Sequence, residues 1–474
     1  MPPPQLTQKV ESIQGVRLAD ASFALSNIQV HHPPDSPCGV IGPITPHHLI
    51  NAETEQDDTR PLALPALTHP HIHLDKAFVN SVSQYAHLRP QKGGFQEALS
   101  KTAEAKRQFT RADVLQRGEW LLAESVAAGV TAMRAFVEVD QTVQHVCLEA
   151  AVQLQDQWKE VCEVQIVCFA QDPIYSTGHG AENRSWMERA LEQHPQVEVI
   201  GSTPYVEETI EAAKQNIDWA VDRALQLGKH LDFHLDYNLD YGKEALVWYV
   251  LDTLRQRGWT SSSTTKRVML GHCTRLTLFT NEEWGHIAQI IRENDLAVSF
   301  VGLPTSDLYM AAPAEEGDPQ HRPRGTLQVP EMIRKHGLDA VIGVNNVGNA
   351  FTPWGSLDPL VLACLGVGIY QAGTQDDAAL LYECVSTRAR AAIGLSPPRQ
   401  GIGLCEGAQA DLVVFHQQDL TGCGTLRPRR TVAELVWDPP ACVSRDLVVR
   451  GRLKRSQRLD MRGTSIYSLQ DSSH

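Results

Sequence analysis

The chain has no Cys-x-x-Cys pair; its ten cysteines are scattered along 474 residues, so neither a thiolate zinc site nor a disulfide framework is suggested. It has no excess of positive charge either. With 42 Lys and Arg against 56 Asp and Glu, the formal net charge is −14, which argues against nucleic acid or an anionic membrane as partner. No apolar run reaches membrane-spanning length, and the opening Met-Pro-Pro-Pro-Gln-Leu-Thr-Gln-Lys lacks the charged-then-apolar pattern of a signal segment. No Gly-x-Gly-x-x-Gly follows an early strand, which removes the usual dinucleotide fingerprint. There is no internal repeat, and no low-complexity segment beyond the Pro-rich start. The expectation is a cytosolic (cytoplasmic) protein with reduced thiols that handles a small molecule. A homo-oligomer is compatible with the sequence.

What is present is ordinary in composition, with 42% hydrophobic and 21% charged residues. The length is large for one core and points to a big domain with a smaller companion. Short apolar strands alternate with helical stretches. The strands are expected at 62–68, 131–139, 164–171, 197–205, 230–237, 267–274, 296–304 and 339–347. Helices are expected at 111–128, 206–227, 241–257 and 281–293, with Gly129, Gly228 and Gly337 standing where helix C-termini should be. Eight such alternations predict an α/β fold, a closed (β/α)8 TIM barrel over residues 61–397, rather than a doubly wound sheet. The flanks read differently. Residues 1–60 have weak strands and no long helix. Residues 398–457 read as β-rich, with strands expected at Ala410–Phe415, Val432–Trp437 and Leu447–Arg452. Both ends are expected to pair into one small β-sandwich domain, followed by a flexible polar tail at 458–474.

The most informative stretch is Pro70-His71-Ile72-His73-Leu74-Asp75-Lys76. On an extended backbone residues two apart point to the same side, so His71 and His73 can offer two neutral imidazoles to one divalent ion. Barrel enzymes keep their chemistry at the C-terminal ends of the strands. There the sequence places Glu138 and Asp140, Gln171 and Asp172, His234 and Asp236, His272, Asp307, and Asn345 with Asn346. Four histidines at the ends of strands one, five and six supply what a mononuclear site needs: three nitrogen ligands and one further proton donor.

With these residues in place the chain resembles the amidohydrolase superfamily of metal-dependent hydrolases, in its cytosine-deaminase-like branch. The resemblance runs from about residue 60 to 455. It rests on His-x-His-Leu-Asp, Phe169-x-Gln171, His234-x-Asp236, Gly271-His272, the Asn345-Asn346-Val347 turn before Pro353-Trp354, and Gly407-x-x-Ala-Asp-Leu-Val-Val. It implies one divalent metal, zinc or iron first and manganese as a further option. His71, His73 and His234 would be ligands, and His272 would orient the attacking water or a substrate oxygen. Gln171 would hold a pyrimidine-like ring. No lysine stands at the end of strand four, so a carbamate-bridged two-metal site is not expected.

Two departures bear on the chemistry. Asn345 stands where the family's strand-eight aspartate serves as ligand and base, and an amide cannot shuttle a proton. Tyr237 replaces the glutamate of His-x-Asp-Glu. Asp307, on the loop after strand seven, and Asp236 are therefore candidate catalytic carboxylates, the latter also a candidate to orient His234. Lys76, Tyr237 and Trp354 are candidate substrate-binding residues beside Gln171, and Asn345 remains a candidate fourth ligand. Two readings stay open: hydrolysis of a non-peptide C–N bond in a cyclic amide, amidine or amino-heterocycle, with metal-activated water attacking an sp² carbon; and a non-hydrolytic pseudoenzyme or Lewis-acid isomerase or cyclase on the same barrel.

Overall fold

The computed structural model describes residues 8–19, 25–47, 60–311, 324–398, 400–417, 427–454 and 466–470, together with Pro3, Pro4 and Leu6. Eight parallel strands form the barrel in sequence order: Leu67–His73, Val130–Glu138, Glu163–Ala170, Val197–Ser202, His230–Leu235, Val268–His272, Val298–Gly302 and Ala340–Ile342. The ring closes where Ile72 bridges Asn345: the Asn345 N–H donates to His71 O and the His73 N–H to Asn345 O, at 3.1 and 2.8 Å. The residue under suspicion at strand eight thus shuts the barrel against the two histidines of strand one.

The helices form where the sequence expects them, for local reasons. Thr110 and Thr209 cap Arg111–Ala128 and Ile210–Leu227 by accepting the Asp113 and Ala212 N–H groups. Thr280 and Glu283 make a reciprocal capping box at the start of Asn281–Glu293. Gly129 and Gly228 end their helices at φ 105° and 60°, left-handed values that a side chain resists. The apolar faces between helices and strands build one continuous core, exemplified by Leu121, Leu154, Ile217 and Leu251, all fully buried.

Strands from both ends of the chain make a second, antiparallel sheet, in the order Val40–Pro46, Ser26–His31, Gln8–Val16, Arg452–Lys454, Arg445–Val449, Leu412–Phe415 and Leu62–Pro65. Three expectations are corrected here. Leu62–Pro65 is not barrel strand one: it pairs with Leu412–Phe415 in the β-domain, and the barrel strand begins at Leu67. Val432–Trp437 is a helix, not a strand, because Thr431 and Glu434 form a capping box at its start. Within the expected flexible tail, Tyr467–Leu469 is a strand that pairs with Gln8–Val16, whereas residues 458–465 and 471–474 lie outside the described residues. Among the described residues, no helix is long and apolar enough to cross a membrane.

The two units are joined by Arg445 of the β-domain. It makes a bidentate pair with Asp358 at 2.9 and 2.6 Å and donates to the carbonyl of Ala128 at 2.8 Å, all out of water.

Candidate metal centre

Strand one carries a histidine at 69, 71 and 73, yet only two face the barrel interior. A register shift between His69 and Ile72 breaks the alternation, and His69 bonds Ser125 on a neighbouring helix at 3.1 Å. His71 and His73 meet His234 of strand five, with Nε2···Nε2 distances of 3.3 and 3.0 Å. Each of the three residues is at most 2% exposed. Burial first, and then neighbouring positive groups, push all three well below the usual imidazole value, so they are neutral and carry lone pairs. Three buried nitrogen atoms converging this closely form a group able to hold a metal ion.

Asn345 completes the ring of donors. Its Nδ2 donates to Ser306 Oγ at 2.8 Å, while its side chain lies beside both strand-one imidazoles and its buried Oδ1 has no partner within hydrogen-bond distance and angle. Such an orphaned oxygen costs about 1–3 kcal/mol unless something occupies it. A neutral carbonyl oxygen beside three imidazoles is a donor set a divalent ion accepts, so the residues fit the ion that the resemblance implied.

His272 stands outside the three-histidine cluster, its ring 5.2 Å from that of His234. Its Nδ1 meets Asp307 Oδ1 at 2.8 Å. Asp307 is fully buried, and its other oxygen accepts from Thr326 Oγ1 at 2.8 Å and Leu303 N at 3.1 Å. Burial raises the Asp307 carboxyl, and the bond to His272 opposes the rise. The sequence placed Asp307 on a loop; it lies on a short helix, Pro304–Met310, whose consecutive residues Thr305, Ser306 and Asp307 each bond a different part of the site.

Asp236 is elsewhere. Strand five ends at Leu235, and Asp236 adopts φ 50°, so its side chain leaves the alternation that would have set it beside His234. Both of its oxygens accept backbone N–H groups, from Leu246 at 2.8 Å and Val247 at 3.0 Å. It caps the Val247–Gln256 helix and is not available to orient an imidazole. The carboxylate nearest a metal-site histidine is instead Asp232, whose Oδ1 lies 3.8 Å from His71 Nδ1 and whose Oδ2 pairs with Arg134 at 3.0 Å. Its position two residues before His234 was the signal for it, by the same period of two.

Above the histidines the pocket wall is aromatic and rich in donors. Tyr237 packs on His272 with ring centroids 4.2 Å apart, and Tyr205 and Phe95 flank it at 5.8 and 5.7 Å. Lys76 Nζ bonds Gln171 Oε1 at 3.0 Å and Glu138 Oε1 at 2.6 Å, so both expected substrate-binding residues line one wall. Trp354 does not: it is 43% exposed and away from the pocket, and Phe351 takes the inward position. Asn349 explains the exchange. Its Oδ1 accepts the N–H groups of Phe351 and Thr352, both at 3.0 Å, which turns the chain so that Phe351 enters and Trp354 leaves.

Behind Lys76 lies a charge network, buried except for the half-exposed Asp172, whose linkage the sequence does not show because its members come from separate segments. Lys106 bonds Glu138, Asp140 and Asp172, and Glu138 bridges Lys106 and Lys76. Burial alone would raise the Glu138 carboxyl, but the two ammonium groups outweigh it and hold it at about 2. Glu138 is therefore a fixed anion and no base. Lys106 ends the helix Phe95–Lys106, whose Phe95 and Leu99 close the pocket mouth together with Phe351. The space left inside is about 20 Å³, enough for about one water molecule.

No family model and no curated protein matches the sequence. Solved structures do match in fold. A 5-methylcytosine deaminase from Klebsiella pneumoniae bound to 5-fluorocytosine superposes with a TM-score of 0.77 at 20% identity, covering 96% of this chain and 99% of that one. An N-isopropylammelide isopropylaminohydrolase from Burkholderia multivorans gives 0.66 at 22%, covering 93% and 97%. An atrazine chlorohydrolase from Arthrobacter aurescens, complexed with zinc, gives 0.62 at 16%, covering 95% and 97%. The barrel with its β-domain is the fold these enzymes share. Nothing in these likenesses favours the non-hydrolytic alternative.

Proposed function

We propose that this protein is a metal-dependent hydrolase of the amidohydrolase type, cleaving a non-peptide C–N bond in a small cyclic amide, amidine or amino-heterocycle. One observation carries the reading: three buried, neutral histidines converge on a single point at the C-terminal mouth of a parallel barrel, where the orphaned Asn345 oxygen joins them. The similar structures support it, being deaminases and hydrolases of nitrogen heterocycles by name.

The ligands are His71, His73 and His234, with Asn345 as the neutral fourth. A divalent ion there, zinc or iron before manganese, supplies Lewis acidity and makes water a nucleophile near neutral pH. The remaining work falls to this chain's side chains. His272, held in one tautomer by Asp307, takes the proton that the absent strand-eight carboxylate would have taken and returns it to the leaving nitrogen. Tyr237, whose hydroxyl donates to Ser306 O at 3.4 Å, is a neutral wall where the family's branch has an acid. Lys76 and Gln171 hold the far edge of the ring. Gln171 Oε1 is already spent on the ammonium, so its amide N–H groups are what remain to meet a substrate acceptor. Phe95, Tyr237 and Phe351 stack on a planar substrate, which requires the Phe95–Lys106 helix to move outward on entry.

The test is a screen of metal-replete protein against small cyclic amides, amidines and amino-heterocycles, following ring absorbance and released amine. Turnover that disappears in both His234→Ala and His272→Ala is the expected result. Turnover that survives His272→Ala at the wild-type rate would remove the proton-transfer role assigned here.

A further inference from the structure

An asparagine can serve a metal only through its carbonyl oxygen; its NH₂ end has no lone pair to offer. An aspartate has no such problem, because both its ends are oxygens. Replacing the strand-eight carboxylate by an amide therefore creates a need for a group that decides which end of Asn345 faces the histidines.

Ser306 meets that need. Its Oγ accepts from Asn345 Nδ2 at 2.8 Å, and it lies 2.7 Å from Thr352 Oγ1. The amide nitrogen can only donate, so Ser306 accepts from Asn345, and either hydroxyl can be the donor between Ser306 and Thr352. All three side chains are buried, at 2, 1 and 0% exposure, so no water competes for the bonds. Both hydroxyls are held in place by backbone. Ser306 N–H bonds Leu303 O at 3.0 Å, and the preceding Thr305 ties the same helix to Val344 O of the strand-eight end at 2.9 Å. Thr352 is fixed by Asn349, whose amide in turn donates to the carbonyl of Lys76 at 3.2 Å. Turning the Asn345 amide over would set its carbonyl oxygen against Ser306 and leave NH₂ facing three neutral imidazoles.

We propose that Ser306, seconded by Thr352, is a positioning residue that turns Asn345 so that its carbonyl oxygen is the fourth ligand of the metal centre. This rests on the metal-site reading above and assigns a role to two hydroxyls outside the three-histidine cluster. It makes the relation between Ser306 and residue 345 conditional: the hydroxyl matters when an amide stands at 345 and loses most of its importance when a carboxylate does.

The experiment measures zinc(II) affinity of the full chain, by competition with a chromophoric chelator, in four proteins: wild type, Ser306→Ala, Asn345→Asp and the double variant. Ser306→Ala should weaken zinc about tenfold when Asn345 is present. The same substitution should change affinity less than about twofold in the Asn345→Asp background, a coupling the double cycle isolates. The isosteric Thr352→Val, which removes the hydroxyl partner of Ser306 without changing shape, should weaken zinc in the same direction. Equal losses in both backgrounds, or no loss in the first, would overturn the proposal while leaving the metal site intact. A wild type that binds no zinc would instead overturn the metal-site reading, and this inference with it.

Discussion

Replacing Lys106 by methionine perturbs the pocket without touching the three-histidine cluster. The ammonium is 5% exposed and lies 2.5 Å from Glu138 and 2.9 Å from Asp172, with Asp140 bonded as well. Removing one partner of a buried charge cluster costs about 3–5 kcal/mol, because Glu138 and Asp140 lose their counter-ion out of water, whereas Asp172, 46% exposed, keeps its hydration. The lower end applies. Glu138 keeps Lys76 at 2.6 Å, and Asp140 keeps the backbone N–H groups of Thr142 and Val143 at 2.7 and 3.0 Å. Lys106→Met is therefore expected to lose about 3 kcal/mol in chemical denaturation at pH 7, and Lys106→Arg to recover part of it. Because Lys106 is the last residue of the helix that covers the pocket, amide exchange over 95–106 should quicken in the same variant. The sign of the acid dependence follows from Glu138: with its carboxyl held below the ordinary value, its contribution is complete above about pH 4.5 and is lost as pH falls towards 2. A loss under about 1 kcal/mol at pH 7 with unchanged exchange would refute the buried-network account.

Three further outcomes are expected. Arg445→Leu strands Asp358 between barrel and β-domain and should cost about 4 kcal/mol, read as a lower denaturation midpoint. His230 is held neutral at about 3 by burial and by the positive groups near it, and its Nδ1 accepts the Arg267 N–H at 3.0 Å. Its contribution is complete above pH 6.5 and lost as pH falls below that, about 2 kcal/mol by pH 5, and His230→Gln should flatten that part of the profile. Asp307→Asn should leave zinc affinity near wild type while lowering kcat about 100-fold or more, since His272 loses the group that fixes its tautomer; unchanged kcat would contradict the role given to the pair.

Much of the fold was legible because its signals are local. Gly129, Gly228 and Gly337 mark helix ends wherever they occur, and each adopts the left-handed φ expected of it. His71, His73, His234 and His272 were legible because the strand period of two and the barrel's habit of working at strand ends both pointed to them. The misreadings have physical causes. Asp236 was assigned to the site by continuing strand alternation one residue past its end, where φ turns positive. Val432–Trp437 carries β-favouring valines and a tryptophan, and the capping box at Thr431 and Glu434 outweighed them. Lys106, Glu138 and Asp172 are linked only by tertiary packing, which no periodicity records. Trp354 and Phe351 are three residues apart, and only the Asn349 turn decides which of them faces inward.

The central claim is that His71, His73 and His234 hold an ion. Its most direct test is elemental analysis of the protein purified without added metal, beside His73→Ala and His234→Ala. The account expects close to one zinc, iron or manganese per chain in the wild type and none in either variant. A wild type that is metal-free and takes up no ion on reconstitution, or a His234→Ala variant with full occupancy, would contradict it.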